Sequence, residues 1–167
     1  MTQTISDLAA PESPVNWIMS GFFVFGGVLT LIASIYARTL ALPGRIALFL
    51  SAIATFGLTI FPTPLVGYSV MHRIFAIASF ALSAFWPILA MRFRKDAPWI
   101  IRPAASIIGT GLQLALAVWF LSTWTDPETT NVGVWERVVT VSQALYGSIV
   151  IITIYLGSKR AKPTISG

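Results

Sequence analysis

The 167-residue sequence contains no cysteine and a single histidine, His72. The absence of cysteine excludes disulfides, thiolate metal sites, iron–sulfur clusters and a cysteine nucleophile. One histidine cannot supply two axial haem ligands or the three-histidine set of a catalytic zinc site. The sequence therefore predicts neither a cofactor nor a bound metal.

Charged residues are also scarce, since Asp, Glu, Lys and Arg make up 10% of the chain and hydrophobic residues 56%. Soluble domains carry roughly 25% charged residues. With a mean hydropathy of +0.79, the sequence predicts an integral membrane protein. The formal net charge of +5 would suggest nucleic acid as the partner of a soluble chain. Here the basic residues lie between apolar segments, so no nucleic-acid partner is expected.

Five apolar segments follow a polar N-terminal stretch. About 20 helical residues, each rising 1.5 Å, cross the roughly 30 Å hydrocarbon layer of a membrane. The segments are continuous, whereas the strands of a membrane barrel alternate apolar and polar residues. The sequence predicts an all-α membrane protein, a five-helix transmembrane bundle within one domain at 17–157. The predicted spans are about 17–36, 46–61, 69–91, 99–121 and 134–156.

The loops between these spans differ in charge. Nine of the eleven basic residues fall on one side of the predicted bundle, which the positive-inside rule assigns to the cytoplasm. The prediction is a multi-pass plasma-membrane protein with its N-terminus outside and its C-terminus inside. Residues 1–16, which lack the basic start of a secretory signal peptide, form an external polar lead-in. Residues 158–167 form a basic cytoplasmic tail. The nine residues are Arg38, Arg45, Arg92, Arg94, Lys95, Arg102, Lys159, Arg160 and Lys162.

The other two arginines lie on the expected outer side, at the ends of the third and fifth spans. Helix N-termini on that side present unsatisfied N–H groups and a partial positive charge. We therefore predict an outer-face site for a lipid headgroup or a small anion. Its residues are Asp7, His72, Arg73, Glu136 and Arg137. In the alternative interpretation, Asp7 or Glu136 pairs with one of the two arginines across helices and only fixes the bundle.

Two other functions are consistent with the sequence. Ser6, Asp7 and His72 supply the residue types of a nucleophile, an acid and a base, which allows a lipid or ester hydrolase using the same outer cluster. Small and amide side chains such as Gln113 and Gln143 recur at helical spacing, which is typical of helix packing. That pattern allows an accessory role with a partner membrane subunit or a second copy of the chain. No ionisable residue lies near the middle of a span, which argues against a proton-coupled pump.

Three short motifs occur in order along the chain: 5–10 (ISDLAA) with 13–17 (SPVNW), 57–62 (GLTIFP) with His72, and 133–137 (GVWER). They resemble the Ser-Asp-Leu-Gly segment, the Phe-Pro turn with its following histidine, and the Gly-x-x-(Glu/Gln)-Arg motif of one family of bacterial membrane proteins. This is the family known as domain of unknown function 998. The resemblance implies a membrane fold and its topology, and it brings no established activity.

The chain departs from that family pattern at two places. The family commonly has an aspartate just after Phe-Pro, where this chain has Thr63 and Pro64. The family also has a helix before the Ser-Asp-Leu segment. The resemblance therefore implies either a five-span variant or a start at Met1 that omits the family's first transmembrane helix.

Overall fold

The chain folds as a helical bundle in a computed structural model that describes residues 3–125, 128 and 130–160, apart from the side chains of residues 158 and 160. No strand occurs in these residues, and residues 161–167 of the predicted tail lie outside them. A short 3-10 helix, Trp99–Ile101, precedes the fifth α-helix. The described residues form six α-helices: α1 Ile5–Leu8, α2 Asn16–Tyr36, α3 Leu42–Ile60, α4 Val70–Leu89, α5 Pro103–Thr125 and α6 Val132–Arg160.

Helices α2 to α6 are long and apolar enough to cross a membrane, with qualifying segments of 19 to 26 residues. These lengths fall within, or just above, the range of about 17 to 25 residues that crosses the hydrocarbon layer. The prediction of an all-α membrane protein with five spanning helices is confirmed.

Prolines determine where two of the helices begin. Helix α3 begins at Leu42, four residues before the predicted span, because Pro43 lies in its first turn, where a missing N–H costs no hydrogen bond. Pro103 opens α5 for the same reason. The predicted fourth span began at Trp99, and in the structure this residue lies in the separate 3-10 helix.

Helices that are consecutive in the chain pack against each other, from α2 through α6. Gly27 permits one close approach, because a Cβ there would meet the Phe56 ring. Two glutamines join helices by hydrogen bonds to carbonyl groups. Gln113 Nε2 donates to Ser142 O at 3.3 Å, and Gln143 Nε2 donates to a carbonyl of α4 at 3.1 Å.

One end of the bundle, which we call the basic end, consists of the α2–α3 loop at 37–41 and the α4–α5 segment at 90–102. Backbone bonds tie these loops together, from Ala41 N to Ala90 O at 3.1 Å and from Arg92 N to Ile101 O at 2.8 Å. Three guanidinium groups also donate to carbonyl oxygens here. The pairs are Arg45 with Ser34 and Ile35, Arg92 with Thr39 and Leu40, and Arg102 with Lys95 and Ala97, at 2.6 to 3.1 Å.

The opposite end, which we call the cavity end, contains the N-terminal segment, the α3–α4 loop and the beginning of α6. The N-terminal segment, which is predicted to be an external polar lead-in, contacts the bundle through α1. Ala9 and Ala10 are buried at 4% and 0% exposure. The ordered segment closes one side of a cavity.

Candidate functional site

The cavity end encloses a space of about 260 Å³ between the N-terminal segment, the α3–α4 loop and helices α4, α5 and α6. Four of the five predicted site residues contribute to its wall: Asp7, His72, Arg73 and Glu136. They come from three separate parts of the chain. The structure therefore brings together most of the cluster that was predicted from the sequence.

Glu136 holds the N-terminal segment in place. It lies in the first turns of α6, and its side chain is only 4% exposed. Its Oε1 accepts a hydrogen bond from Ser6 Oγ at 3.0 Å, and its Oε2 accepts one from the backbone N–H of Ile5. These bonds satisfy an otherwise costly buried carboxyl group. Glu136 therefore docks α1 onto α6.

Asp7 stabilises the turn that carries Ser6. Its Oδ2 accepts from Thr4 N at 2.8 Å, and its backbone N–H donates to Thr4 Oγ1 at 2.9 Å. This reciprocal pair is a capping box, which defines where a helix begins. The second carboxylate oxygen of Asp7 makes no hydrogen bond to the described residues, and the side chain lines the cavity.

His72 is fixed by the carbonyl group of Phe61. Helix α3 ends at Ile60, two residues before Pro62, so the Phe61 carbonyl lies beyond the helical hydrogen bonds. His72 Nδ1 lies 2.9 Å from this oxygen. Because a carbonyl can only accept, the hydrogen is assigned to Nδ1, and Nε2 of the neutral ring is an acceptor.

The Nε2 atom of His72 is buried and has no hydrogen-bond partner in the part of the chain that the structure describes. The whole residue is 4% exposed and lines the cavity. Most buried polar atoms in proteins have a partner. This atom is therefore a buried acceptor at the cavity without a donor among the described residues.

Arg73 is held by two aromatic rings. Its guanidinium carbon lies 4.5 Å from the centroid of the Tyr68 ring and 5.5 Å from that of Trp124. Such contacts use the attraction between a cation and the face of an aromatic ring. No hydrogen bond or ion pair joins the Arg73 side chain to another described residue. Its N–H donors therefore have no protein acceptor in that set.

Arg137 lies outside the cavity. Its Nη1 donates to Gln3 O at 2.9 Å and to Gly133 O at 2.6 Å. These bonds connect the N-terminal segment to the beginning of α6. The cross-helix ion pairs of the alternative interpretation do not form among the described residues. An ion pair does form at the basic end, where Arg94 Nη2 lies 2.6 Å from Asp96 Oδ2.

The three residues considered for a hydrolase make other contacts. Ser6 Oγ donates to Glu136, and His72 Nδ1 bonds to the Phe61 carbonyl, so no hydrogen bond relays Ser6 to His72 or His72 to Asp7. The described residues also contain no group of three or more His, Asp or Glu side chains arranged to hold a metal ion.

Sequence reasoning missed two features of this site. The ring of Trp124 packs on Arg73, a contact that no motif of the sequence indicated. The Phe61 carbonyl, a backbone group, fixes the His72 ring. The Phe-Pro motif followed by a histidine was the available signal for the second feature, because a proline after a helix leaves a carbonyl free.

Comparison with known proteins identifies a family without a defined activity. The sequence profile of the family described as "Protein of unknown function (DUF998)" matches residues 1–153, which is nearly the whole chain. No curated protein and no solved structure shows significant similarity. The chain therefore belongs to the DUF998 family of proteins of unknown function.

Proposed function

We propose that this multi-pass membrane protein binds an anionic group, either a lipid headgroup or a small free anion, in the cavity beside Arg73. The single observation that supports this proposal best is the state of the Arg73 side chain. It lines the cavity, two rings hold it, and its N–H donors have no acceptor among the described residues.

The geometry of a guanidinium group explains why this arrangement suits an anion. The flat faces of the group pack on aromatic rings, whereas its N–H bonds point outward in its plane. Tyr68 and Trp124 therefore orient Arg73 without using the donors that bind phosphate or carboxylate oxygens. A ligand anion would meet a cation whose rotamers are already restricted.

We further propose that the cavity end faces the outside of the plasma membrane. The basic end carries Arg92, Arg94, Lys95 and Arg102 between two spanning helices. The excess of basic residues in short loops favours the cytoplasm. The N-terminus and the cavity would then lie at the outer leaflet, where lipid headgroups and external solutes are both accessible.

Binding of a simple phosphate monoester tests the proposal. Detergent-purified protein is titrated with ethyl phosphate by calorimetry, beside Arg73→Gln and the control Arg38→Gln. Arg38 is an exposed arginine of the α2–α3 loop at the other end of the bundle. We expect binding to wild type and to Arg38→Gln, and at least a tenfold weaker affinity in Arg73→Gln. Equal affinity in all three proteins would contradict the proposal.

The two other proposed functions have less support. A hydrolase-like reaction at the cavity lacks the hydrogen bonds that would activate Ser6, and a serine-reactive probe that labels Ser6 would support it. An accessory role with a membrane partner or a second copy rests on a groove of about 580 Å³ between α5 and α6. Its wall is mostly apolar, with side chains such as Leu112 and Leu145, so lipid chains could cover it equally well.

A further inference from the structure

The cavity wall also contains hydrogen-bond acceptors, which a bound anion could not satisfy. Arg73 can only donate hydrogen bonds, whereas three other groups in the cavity wall can accept them. These are the His72 ring and the carboxyl groups of Asp7 and Glu136. Glu136 already accepts from Ser6 and Ile5. His72 Nε2 and one oxygen of Asp7 have no donor among the described residues.

His72 requires a donor from its ligand. The Phe61 carbonyl fixes the hydrogen on Nδ1, so the buried Nε2 presents a lone pair. A phosphate or carboxylate oxygen placed against this atom would bring two acceptors together. A complementary ligand therefore carries an N–H or O–H group as well as its anion.

Asp7 favours a cationic donor over a neutral hydroxyl group. Its carboxylate lines the same cavity as His72 and Glu136. Opposite charges that approach within the low-dielectric end of a bundle attract more strongly than they do in water. An ammonium group placed between Asp7 and His72 would neutralise the carboxylate and donate to Nε2.

We propose that the cavity binds a zwitterion with a phosphate group at Arg73 and a primary ammonium group at His72 and Asp7, which is the chemistry of ethanolamine phosphate. This inference rests on the proposed function and adds the second half of the ligand. The volume of about 260 Å³ lies below the roughly 300–1,000 Å³ of pockets for drug-sized molecules. It suits a headgroup-sized ligand.

The same geometry disfavours a choline group. A quaternary ammonium has no N–H to donate to His72 Nε2. Proteins recognise such groups with cages of aromatic rings. At this cavity the faces of Tyr68 and Trp124 already hold the Arg73 guanidinium. Choline phosphate, which keeps both charges, is therefore a matched negative probe.

Three soluble probes separate this inference from the proposed function. Wild-type protein in detergent is titrated by calorimetry with ethanolamine phosphate, choline phosphate and ethyl phosphate. We expect ethanolamine phosphate to bind at least tenfold more tightly than either of the others. Equal affinities for ethanolamine phosphate and ethyl phosphate would overturn the zwitterion site and leave the anion site standing. No binding of any probe would overturn both.

Variants assign the preference to its residues. An asparagine at position 72 can still donate to the Phe61 carbonyl but has no acceptor where Nε2 lies. His72→Asn should therefore lose the preference for ethanolamine phosphate over ethyl phosphate. Asp7→Asn, which retains an oxygen for the Thr4 cap, gives a second test that does not depend on the His72 variant folding. A full preference in both variants would overturn the assignment.

The source of the ligand is tested in nanodiscs that contain equal amounts of phosphatidylethanolamine and phosphatidylcholine. Native mass spectrometry should detect retained phosphatidylethanolamine on wild type if the ligand is a lipid. If the ligand is a free molecule, neither lipid should be enriched on the protein from the mixed nanodiscs. Added ethanolamine phosphate should then bind to the protein in nanodiscs made of phosphatidylcholine alone. The absence of both results would overturn the inference.

Discussion

Arg73 at the cavity end differs from three arginines at the basic end, and from Arg137 at its own end, in what its guanidinium group contacts. At the basic end, Arg45, Arg92 and Arg102 each donate two hydrogen bonds to backbone carbonyl oxygens. At the cavity end, the guanidinium group of Arg73 contacts two aromatic rings and donates no hydrogen bond to another described residue. Arg73 therefore differs from these three arginines in having no protein acceptor for its guanidinium group among the described residues.

This difference follows from what each end offers. Loops after α2 and α4 leave carbonyl groups without helical partners, and cationic side chains near a helix C-terminus satisfy them. The cavity end includes the N-terminus of α4, where a helix leaves N–H groups, not carbonyl groups, without partners inside the helix. Arg73, in the first turn of that helix, lies among donors and aromatic rings. The Arg73 guanidinium group is therefore left without a hydrogen-bond acceptor among the described residues.

The strongest test of the basic end is a substitution at Gly44. A Cβ there would overlap the backbone of Ala90, which an adjusting side chain cannot relieve. We expect Gly44→Ala to lower the free energy of unfolding by about 3 kcal/mol, the upper range for overpacking. SDS titration monitored by circular dichroism measures it. Gly26→Ala, with no atom within 4 Å of the new Cβ, is the control and should lose no stability. Equal stability of the two variants would refute the close contact.

The next test compares two arginines directly. Arg92→Gln removes two hydrogen bonds, one of them to the carbonyl of the fully buried Leu40, and should cost about 2 kcal/mol. Arg73→Gln removes only the contacts with two rings and should cost less than about 1 kcal/mol. The same SDS titration ranks them. If Arg73→Gln were the more destabilising variant, Arg73 would be a structural residue and the contrast between the ends would fail.

The spanning helices could be predicted from the sequence because lipid dictates both their length and their composition. The helix ends were less predictable, since Pro43 and Pro103 lie inside first turns and do not end a helix. The separation of Glu136 from Arg137 has a simple cause. Adjacent residues differ in direction by about 100° around a helix, and α6 turns Glu136 towards the cavity and Arg137 towards Gln3 and the groove between α5 and α6.

Other parts of the site had no sequence signature. The contact of Arg73 with Trp124 joins residues 51 positions apart, and aromatic residues near a membrane surface are common for other reasons. The docking of α1 depends on a backbone N–H group of Ile5, which every residue except proline possesses. Arg73 was a candidate because it lies on the expected outer side, unlike most basic residues of the chain. Only the folded structure shows that its guanidinium N–H groups have no acceptor among the described residues.

A smaller loss of stability is expected from a substitution that weakens the docking of the N-terminal segment at the cavity end. Glu136→Gln replaces one acceptor oxygen with a donor, so the bonds to Ile5 and Ser6 cannot both persist unchanged. We expect a loss of about 1 kcal/mol, confined to the docking of α1. Amide hydrogen exchange should speed up in residues 4–10 and stay unchanged in α3. Ser6→Ala, which removes one of the two bonds, should have a weaker effect in the same residues.

The smallest expected effect concerns the ion pair at the basic end. Arg94 donates to both carboxylate oxygens of Asp96, at 3.0 and 2.6 Å, and both side chains are largely exposed. The hydrogen bonds from Arg94 hold the pKa of Asp96 below its usual value. A carboxyl group with a lowered folded-state pKa adds stability above its unfolded pKa and loses it as the pH falls through the folded value. Asp96→Asn should therefore lower Tm slightly at pH 7, the difference should vanish in acid, and high salt should shrink it. A difference that grows on acidification would show that Arg94 and Asp96 do not pair in solution.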